Sequence, residues 1–175
     1  MSAAAYAGSP IDDPSGHVAT RPHCFIETFD EINEFVKMHV INLAERGLRQ
    51  VGKRLYGARI VVMGLAYKKN INDPRVSPAI KIIEELANLG AGVRVYDPFV
   101  PSLATKIRVF ASVGSVEEAL SGMECTVFLV DHDVFQGISV ETVKGLMASP
   151  MVVDGMDPFA GGKGTVYLEI GKGGE

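Results

Sequence analysis

From Ala58 onward, short β-branched runs alternate with stretches of helical period, and this alternation limits the chain to an α/β architecture. Arg59 to Met63 reads RIVVM, a run suited to burial on both faces of a parallel sheet. Ala79 to Leu89 places apolar residues on one helical face, and Gly92 to Tyr96 reads GVRVY, ending at Asp97-Pro98. These pieces make a βαβ unit.

The pattern then continues. Ile107 to Phe110 reads as a short strand, and a small helix begins at Ser115, with Glu118 completing a capping box. Thr126 to Val130 is a buried strand, Ser139 to Met147 a helix, Met151 to Val153 a strand and Thr165 to Ile170 the last one. The expected fold is a Rossmann-like open, mostly parallel sheet with helices on both faces, preceded by a long N-terminal helix.

That helix is expected to start at Thr28, which has capping-box spacing to Glu31, and to end near Gly47. Its apolar stripe is Ile32, Phe35, Val36, Val40, Leu43 and Ala44. Lying outside the βαβ repeat, the stripe has three possible partners: the sheet, another domain or a second copy. Residues 1–24 lack either period and read as loose: a tail, an expression remnant or the ragged end of a longer chain. The organisation is therefore 1–24 loose, 25–57 helix and linker, 58–175 the α/β domain.

The segment Gly64 to Pro78, GLAYKKNINDPRVSP, joins the first strand to its helix and carries Lys68, Lys69 and Arg75. Ligands of open α/β sheets bind at this edge. Ser77 suits an N-cap and Pro78 the first helical position, so the helix end favours an anion, with phosphate the natural guess. The formal net charge is −4, which makes the loop a local reversal of sign. It is no dinucleotide fingerprint, because Gly64 stands alone where three glycines are needed. Asp97, Asp131 to Asp133 and Asp154 to Asp157 end other strands and should converge on the same crevice. Asp97 could accept ribose hydroxyls or simply start a turn, although it stands farther from Gly64 than the roughly 20 residues of the dinucleotide pattern. His132 suits a loop hydrogen-bonder better than a catalytic base.

Composition removes several classes. The chain has 175 residues, 47% hydrophobic and 22% charged, enough for one domain with a real core. A pI near 5.6 without a basic run argues against nucleic acid. The sequence has no apolar stretch of about 20 residues and no signal peptide pattern, so a cytoplasmic protein without membrane contact is expected. Cys24 and Cys125 suggest neither a disulfide framework nor a metal site; Cys125 reads as a buried small hydrophobe, while Cys24 is either a reactive thiol or part of a mobile arm.

From about Phe25 to its end, the chain resembles the C-terminal domain of the UDP-glucose/GDP-mannose dehydrogenase family. The resemblance rests on FIETFDEIN, RIVVMGLAYKKNINDPRVSPAIKIIEELANLGAGVRVYDPFVP, SVEEALSGMECTVFLVDHDVF, MVVDG and VYLEIGKG, in that order. GLAYKK to SP is the most specific piece. The resemblance implies a nucleotide-sugar pocket at the Lys68 loop, with Tyr67 and Lys68 contacting the UDP-sugar and Arg75 reaching toward NAD. It also implies a homo-oligomer formed through the N-terminal helix.

In that family an NAD-dependent enzyme oxidises the sugar C6 alcohol to a carboxylate by way of a catalytic cysteine. The GGHCxPxDP-like segment is missing here, so no residue is assigned as catalytic, and none as a metal ligand. Cys24 follows a histidine but lacks the glycines and the aspartate, and is taken as non-catalytic. The family's NAD-binding domain and catalytic lysine are absent too, so NAD is not expected to bind this chain tightly alone. Met156 stands where an arginine is usual, and Asn70 where an aspartate is. The expected function is UDP-sugar binding by the C-terminal domain of a 6-dehydrogenase in a truncated chain that is inactive alone. The alternative is a non-catalytic dimerisation or nucleotide-binding module; a small NAD oxidoreductase is disfavoured by the missing fingerprint.

Overall fold

The computed structural model describes residues 22–154 and 166–169. Residues 1–21, Met156 and Asp157 lie outside them. The chain divides into two units, 1–32 and 33–175. Of the first, only the opening of helix α1 (Pro22–Gln50) is described.

Both expected ends of α1 are corrected. The helix starts at Pro22, so Thr28 lies inside it. Proline is tolerated at a first helical position, and no glycine or proline interrupts the stretch from His23 to Thr28, so a cap signal at Thr28 alone does not interrupt it. At the other end the helix runs through Gly47 to Gln50. A Cβ on Gly47 would lie 2.8 Å from Met151 Sδ, so the glycine allows close packing against the sheet and does not end the helix.

The second unit is built on a five-stranded parallel sheet. Its strands are β1 (Arg59–Met63), β2 (Gly92–Tyr96), β5 (Cys125–Phe128), β6 (Met151–Asp154) and β7 (Val166–Glu169), in the order β2-β1-β5-β6-β7. Helix α2 (Ala79–Asn88) links β1 to β2. Ser77 Oγ accepts from Ala79 N–H, and Pro78 already has helical angles, so the expected start holds within a residue. Gly90 follows the helix with φ +83, a left-handed geometry common just past a helix end. Between β2 and β5 the expected single strand is instead a hairpin, β3 (Ser102–Ala104) with β4 (Val109–Ala111), forming a separate antiparallel pair. Three-residue strands carry too little periodicity to be read singly. Helix α3 (Val116–Leu120) is capped by Ser115, which accepts from Glu118 N–H, and α4 (Val140–Leu146) by Ser139.

Two cores flank the sheet. Along β1, Ile60 and Val62 enter one, and Val61 and Met63 the other. Strand order explains the position of α1. The chain moves from β1 outward to β2, then back across β1 to β5 and β6, so right-handed crossovers put α2 on one face and α3 and α4 on the other. That leaves Cys125, Val127, Met151 and Val153 of β5 and β6 needing cover on the α2 side. Val40, Leu43, Ala44 and Leu48 of α1 join them in that core. The lower stripe therefore meets the sheet, and Lys37 pairs with Glu85 of α2. Phe35 belongs to the same expected stripe but is 71% exposed, and Met38 beside it is 50% exposed.

Candidate functional site

Strand order reverses between β1 and β5, and the crevice outside such a switch point is where open sheets bind ligands. The two strand ends meet at Gly64. It has φ +88, and a Cβ there would lie 2.8 Å from Val130 Cβ and 2.9 Å from Val130 N. Only glycine permits this approach without displacing backbone. Gly64 N–H donates to Tyr96 O at 2.9 Å, and Leu129 N–H to Met63 O at 3.0 Å, tying the β1, β2 and β5 ends together.

Beneath the loop sits Asp97, 4% exposed. Its Oδ2 accepts from Leu65 and Ala66 N–H at 2.6 and 3.0 Å, and its Oδ1 from Phe99 and Val100 N–H at 2.8 and 2.9 Å. His132 Nε2 lies 3.1 Å from Oδ2. Burial pushes the Asp97 carboxyl up, but the His132 hydrogen bond and the amides of Leu65, Phe99 and Ala66 outweigh it and hold it below the ordinary aspartate range. The ribose reading of Asp97 is thus corrected: its oxygens are committed to the fold. The turn reading holds, since Oδ1 closes the 97–100 turn. His132 is wholly buried, and its Nδ1 accepts from Asn70 N–H at 2.9 Å, so it is a loop hydrogen-bonder.

Above this buried pair, the three loop cations separate. Lys69 Nζ lies 2.6 Å from Asp133 Oδ1 and 3.6 Å from Asp131 Oδ2. The Asp133 hydrogen bond raises the pKa of Lys69, and Lys69 with Asn70 lowers that of Asp133. Arg75 makes a bidentate pair with Asp73, Nε to Oδ1 at 2.9 Å and Nη2 to Oδ2 at 2.8 Å, which lowers the Asp73 pKa to about 2. Lys68 alone has no carboxylate partner among the described residues; its Nζ lies 5.5 Å from the Tyr67 ring centre, within cation–π range. Tyr67 is half exposed, and its N–H donates to Asp73 O, closing the loop on itself.

The helix end contributes less than expected. The N–H groups of Ser77, Ala79, Ile80 and Ile82 are all engaged within the chain, and Pro78 has none. An anion here would draw on Lys68 more than on those four amides. Asn70, which stands where the resemblance expects an aspartate, adopts φ +57, and its side chain donates to Asp133 Oδ2 and accepts from Asp133 N–H. Asn70 and His132 are 62 positions apart, and no local pattern joins them.

Asp154 is buried at the end of β6, and Gly155 and Met156 beyond it lie outside the described residues. Cys125 is buried as expected, and burial pushes its thiol up, away from the thiolate a nucleophile needs. The side chain of Cys24 is outside the described set. No group of three or more His, Cys, Asp or Glu among the described residues could hold a metal.

Residues 61–159 match the model of the UDP binding domain of the UDP-glucose/GDP-mannose dehydrogenase family. UDP-glucose 6-dehydrogenase TuaD of Bacillus subtilis is 31% identical over 86% of this chain and 33% of its own length. UDP-N-acetyl-D-mannosamine dehydrogenase of Escherichia coli is 33% identical over 75% of this chain and 33% of its own. Among solved structures, the UDP-D-ManNAc dehydrogenase of Pyrococcus horikoshii superposes with TM-score 0.73 at 28% identity, covering 88% of this chain and 35% of that one. The NDP-N-acetyl-D-galactosaminuronic acid dehydrogenase of Methanosarcina mazei gives TM-score 0.76 at 25% identity, covering 95% and 34%. The chain spans about a third of the length of these relatives.

Proposed function

Because the chain belongs to the UDP-glucose/GDP-mannose dehydrogenase family and carries its UDP-binding domain, we propose that it binds the UDP part of a nucleotide sugar at the β1/β5 switch point. Tyr67 and Lys68 make the substrate contacts. The observation that carries this reading is Lys68: it is the loop cation left without a carboxylate, held beside an exposed aromatic ring at the sheet edge where ligands bind.

The finer reading is that the chain is the C-terminal part of an NAD-dependent 6-dehydrogenase, which oxidises the sugar C6 alcohol to a carboxylate. The described residues do not fit an NAD site of their own. Gly64 is closed off by Val130, and Asp97 has no oxygen to spare for a ribose. Arg75 would then serve a cofactor seated elsewhere in a longer protein, exchanging Asp73 for it. The chain alone is proposed to be inactive, with its nucleophile and hydride acceptor supplied from outside these residues. No helix among the described residues is long and apolar enough to cross a membrane.

Calorimetric titration with UDP, with GDP and NAD in parallel, tests this. UDP is expected to bind and NAD not, and Lys68→Ala to weaken UDP binding about tenfold or more, the loss of one charge-assisted contact. A folded chain that ignores UDP, or a Lys68→Ala variant that binds it unchanged, would sink the reading.

One observation favours a second role beside this one. Phe35 and Met38 are exposed on α1, which fits a homo-oligomer paired through that helix. Phe35 is exposed and stacks on His39 of its own helix, so Phe35→Asp should leave the chain folded while lowering the mass seen by light scattering. At concentrations where the native chain is paired, the melting temperature should fall with it. An unchanged mass would remove Phe35 from any such interface.

A further inference from the structure

The loop that carries Tyr67 and Lys68 is anchored twice, and both anchors run to one buried pair. At its start, Leu65 and Ala66 N–H donate to Asp97 Oδ2; beyond Lys69, Asn70 N–H donates to His132 Nδ1. A ring nitrogen that accepts an amide hydrogen carries none itself, so the hydrogen of His132 sits on Nε2 and points to Asp97 Oδ2 at 3.1 Å. The tautomer is set by Asp97 and read out at Asn70. The imidazole is wholly buried, with the rings of Phe99 and Phe135 at 5.2 and 5.3 Å, and so it reaches no ligand itself. In such surroundings an unpartnered ring nitrogen or amide is costly, so the two hydrogen bonds stand or fall together with the loop conformation.

We infer that His132, oriented by Asp97, is a positioning residue for nucleotide binding: it holds Asn70 in its left-handed turn and thereby fixes the presentation of Tyr67 and Lys68. This rests on the reading of Lys68 as a UDP contact. Asn70 at φ +57 is the residue the device needs, since asparagine tolerates that region better than most. Its side chain extends the link to Asp133, which in turn holds Lys69. Lys69 is thereby held in ion pairs, while Lys68 is left exposed.

Two variants separate positioning from packing. His132→Phe keeps an aromatic ring between Phe99 and Phe135 and removes both hydrogen bonds. His132→Gln keeps one acceptor and one donor and removes the ring. Each full-length variant is titrated with UDP, and amide hydrogen exchange is followed at Asn70. His132→Phe is expected to weaken UDP binding roughly tenfold and to speed Asn70 exchange by a similar factor, the usual cost of a buried hydrogen bond lost; His132→Gln recovers most of both. A residue that matters only for packing gives the reverse order, and that order, or Asn70 exchange unchanged in His132→Phe, overturns the inference. Should His132→Phe not fold, slow Asn70 exchange in His132→Gln supports the inference and fast exchange overturns it. If the native chain binds no UDP, the nucleotide reading fails on its own, while the exchange order still decides whether His132 holds the loop.

Discussion

Gly64→Ala is expected to destabilise the protein by about 3 kcal/mol or more, combining left-handed backbone strain with overpacking. The new Cβ would lie 2.8 Å from Val130 Cβ and 2.9 Å from Val130 N, and the backbone atom cannot retreat as a flexible side chain can. Moving it would pull on the adjacent Leu129 N–H to Met63 O hydrogen bond, which joins β5 to β1. Gly122→Ala is the control, because Gly122 has φ +69 but nothing within 4 Å of its missing Cβ. That variant should lose only about 1 kcal/mol, the conformational part. Urea unfolding of both variants checks the difference; equal losses would mean that the approach of the two strand ends is not what Gly64 provides. UDP binding should fall in Gly64→Ala even where it stays folded, since the Lys68 loop starts at this residue.

Asp97→Ala should cost more, about 5 kcal/mol or more, and is the variant closest to failing to fold. It strands the N–H groups of Leu65, Ala66, Phe99 and Val100 and leaves His132 Nε2 without its acceptor, each loss about 1 kcal/mol or more in a buried setting. The pH dependence supplies a test that needs no folded alanine variant. The Asp97 pKa is depressed in the native state, so on acidification the unfolded chain takes up this proton first. The stabilisation is therefore complete above the ordinary aspartate value of about 3.9 and is lost as the pH falls from there through the lower native value. Asp97→Asn, which cannot titrate, should start less stable at neutral pH and show a flatter decline in that acid window. A decline as steep as that of the native chain would assign acid unfolding to other carboxylates.

Exposed ion pairs should matter little by comparison. Arg75 with Asp73 and Lys69 with Asp133 are well formed, yet both lie at the solvent edge, where screening leaves such pairs small effects on stability. Under the proposed nucleotide reading their consequence is for binding, since they leave Lys68 as the loop cation without a carboxylate partner among the described residues.

How much of this was legible beforehand depended on the range over which each feature is encoded. RIVVM, the helix from Ala79 and GVRVY carry their structure in their own period, and the observed strands β1 and β2 match the expected ones residue for residue. Ser115 announced its cap through its spacing to Glu118, and that cap formed. The hairpin of β3 and β4 was half seen, because three residues do not establish a period. Thr28 misled because a capping box marks a possible helix start, whereas the actual start depends on whether the preceding residues can also be helical, and from Pro22 they can.

The amino-acid sequence by itself determined the α/β class, the strand-to-helix loop that carries the three cations, and the family resemblance, since each is written in short local patterns along the chain. Tertiary structure alone decided which face α1 covers, which of Lys68, Lys69 and Arg75 stays available, and that Asp97 and His132 serve the loop and not the ligand. Those outcomes depend on partners brought together by strand order: Asp97 lies 35 positions from His132, and Asn70 lies 62 from it. Hydrogen bonds of a few ångströms form between whatever groups the fold brings adjacent, and no local spacing records that adjacency.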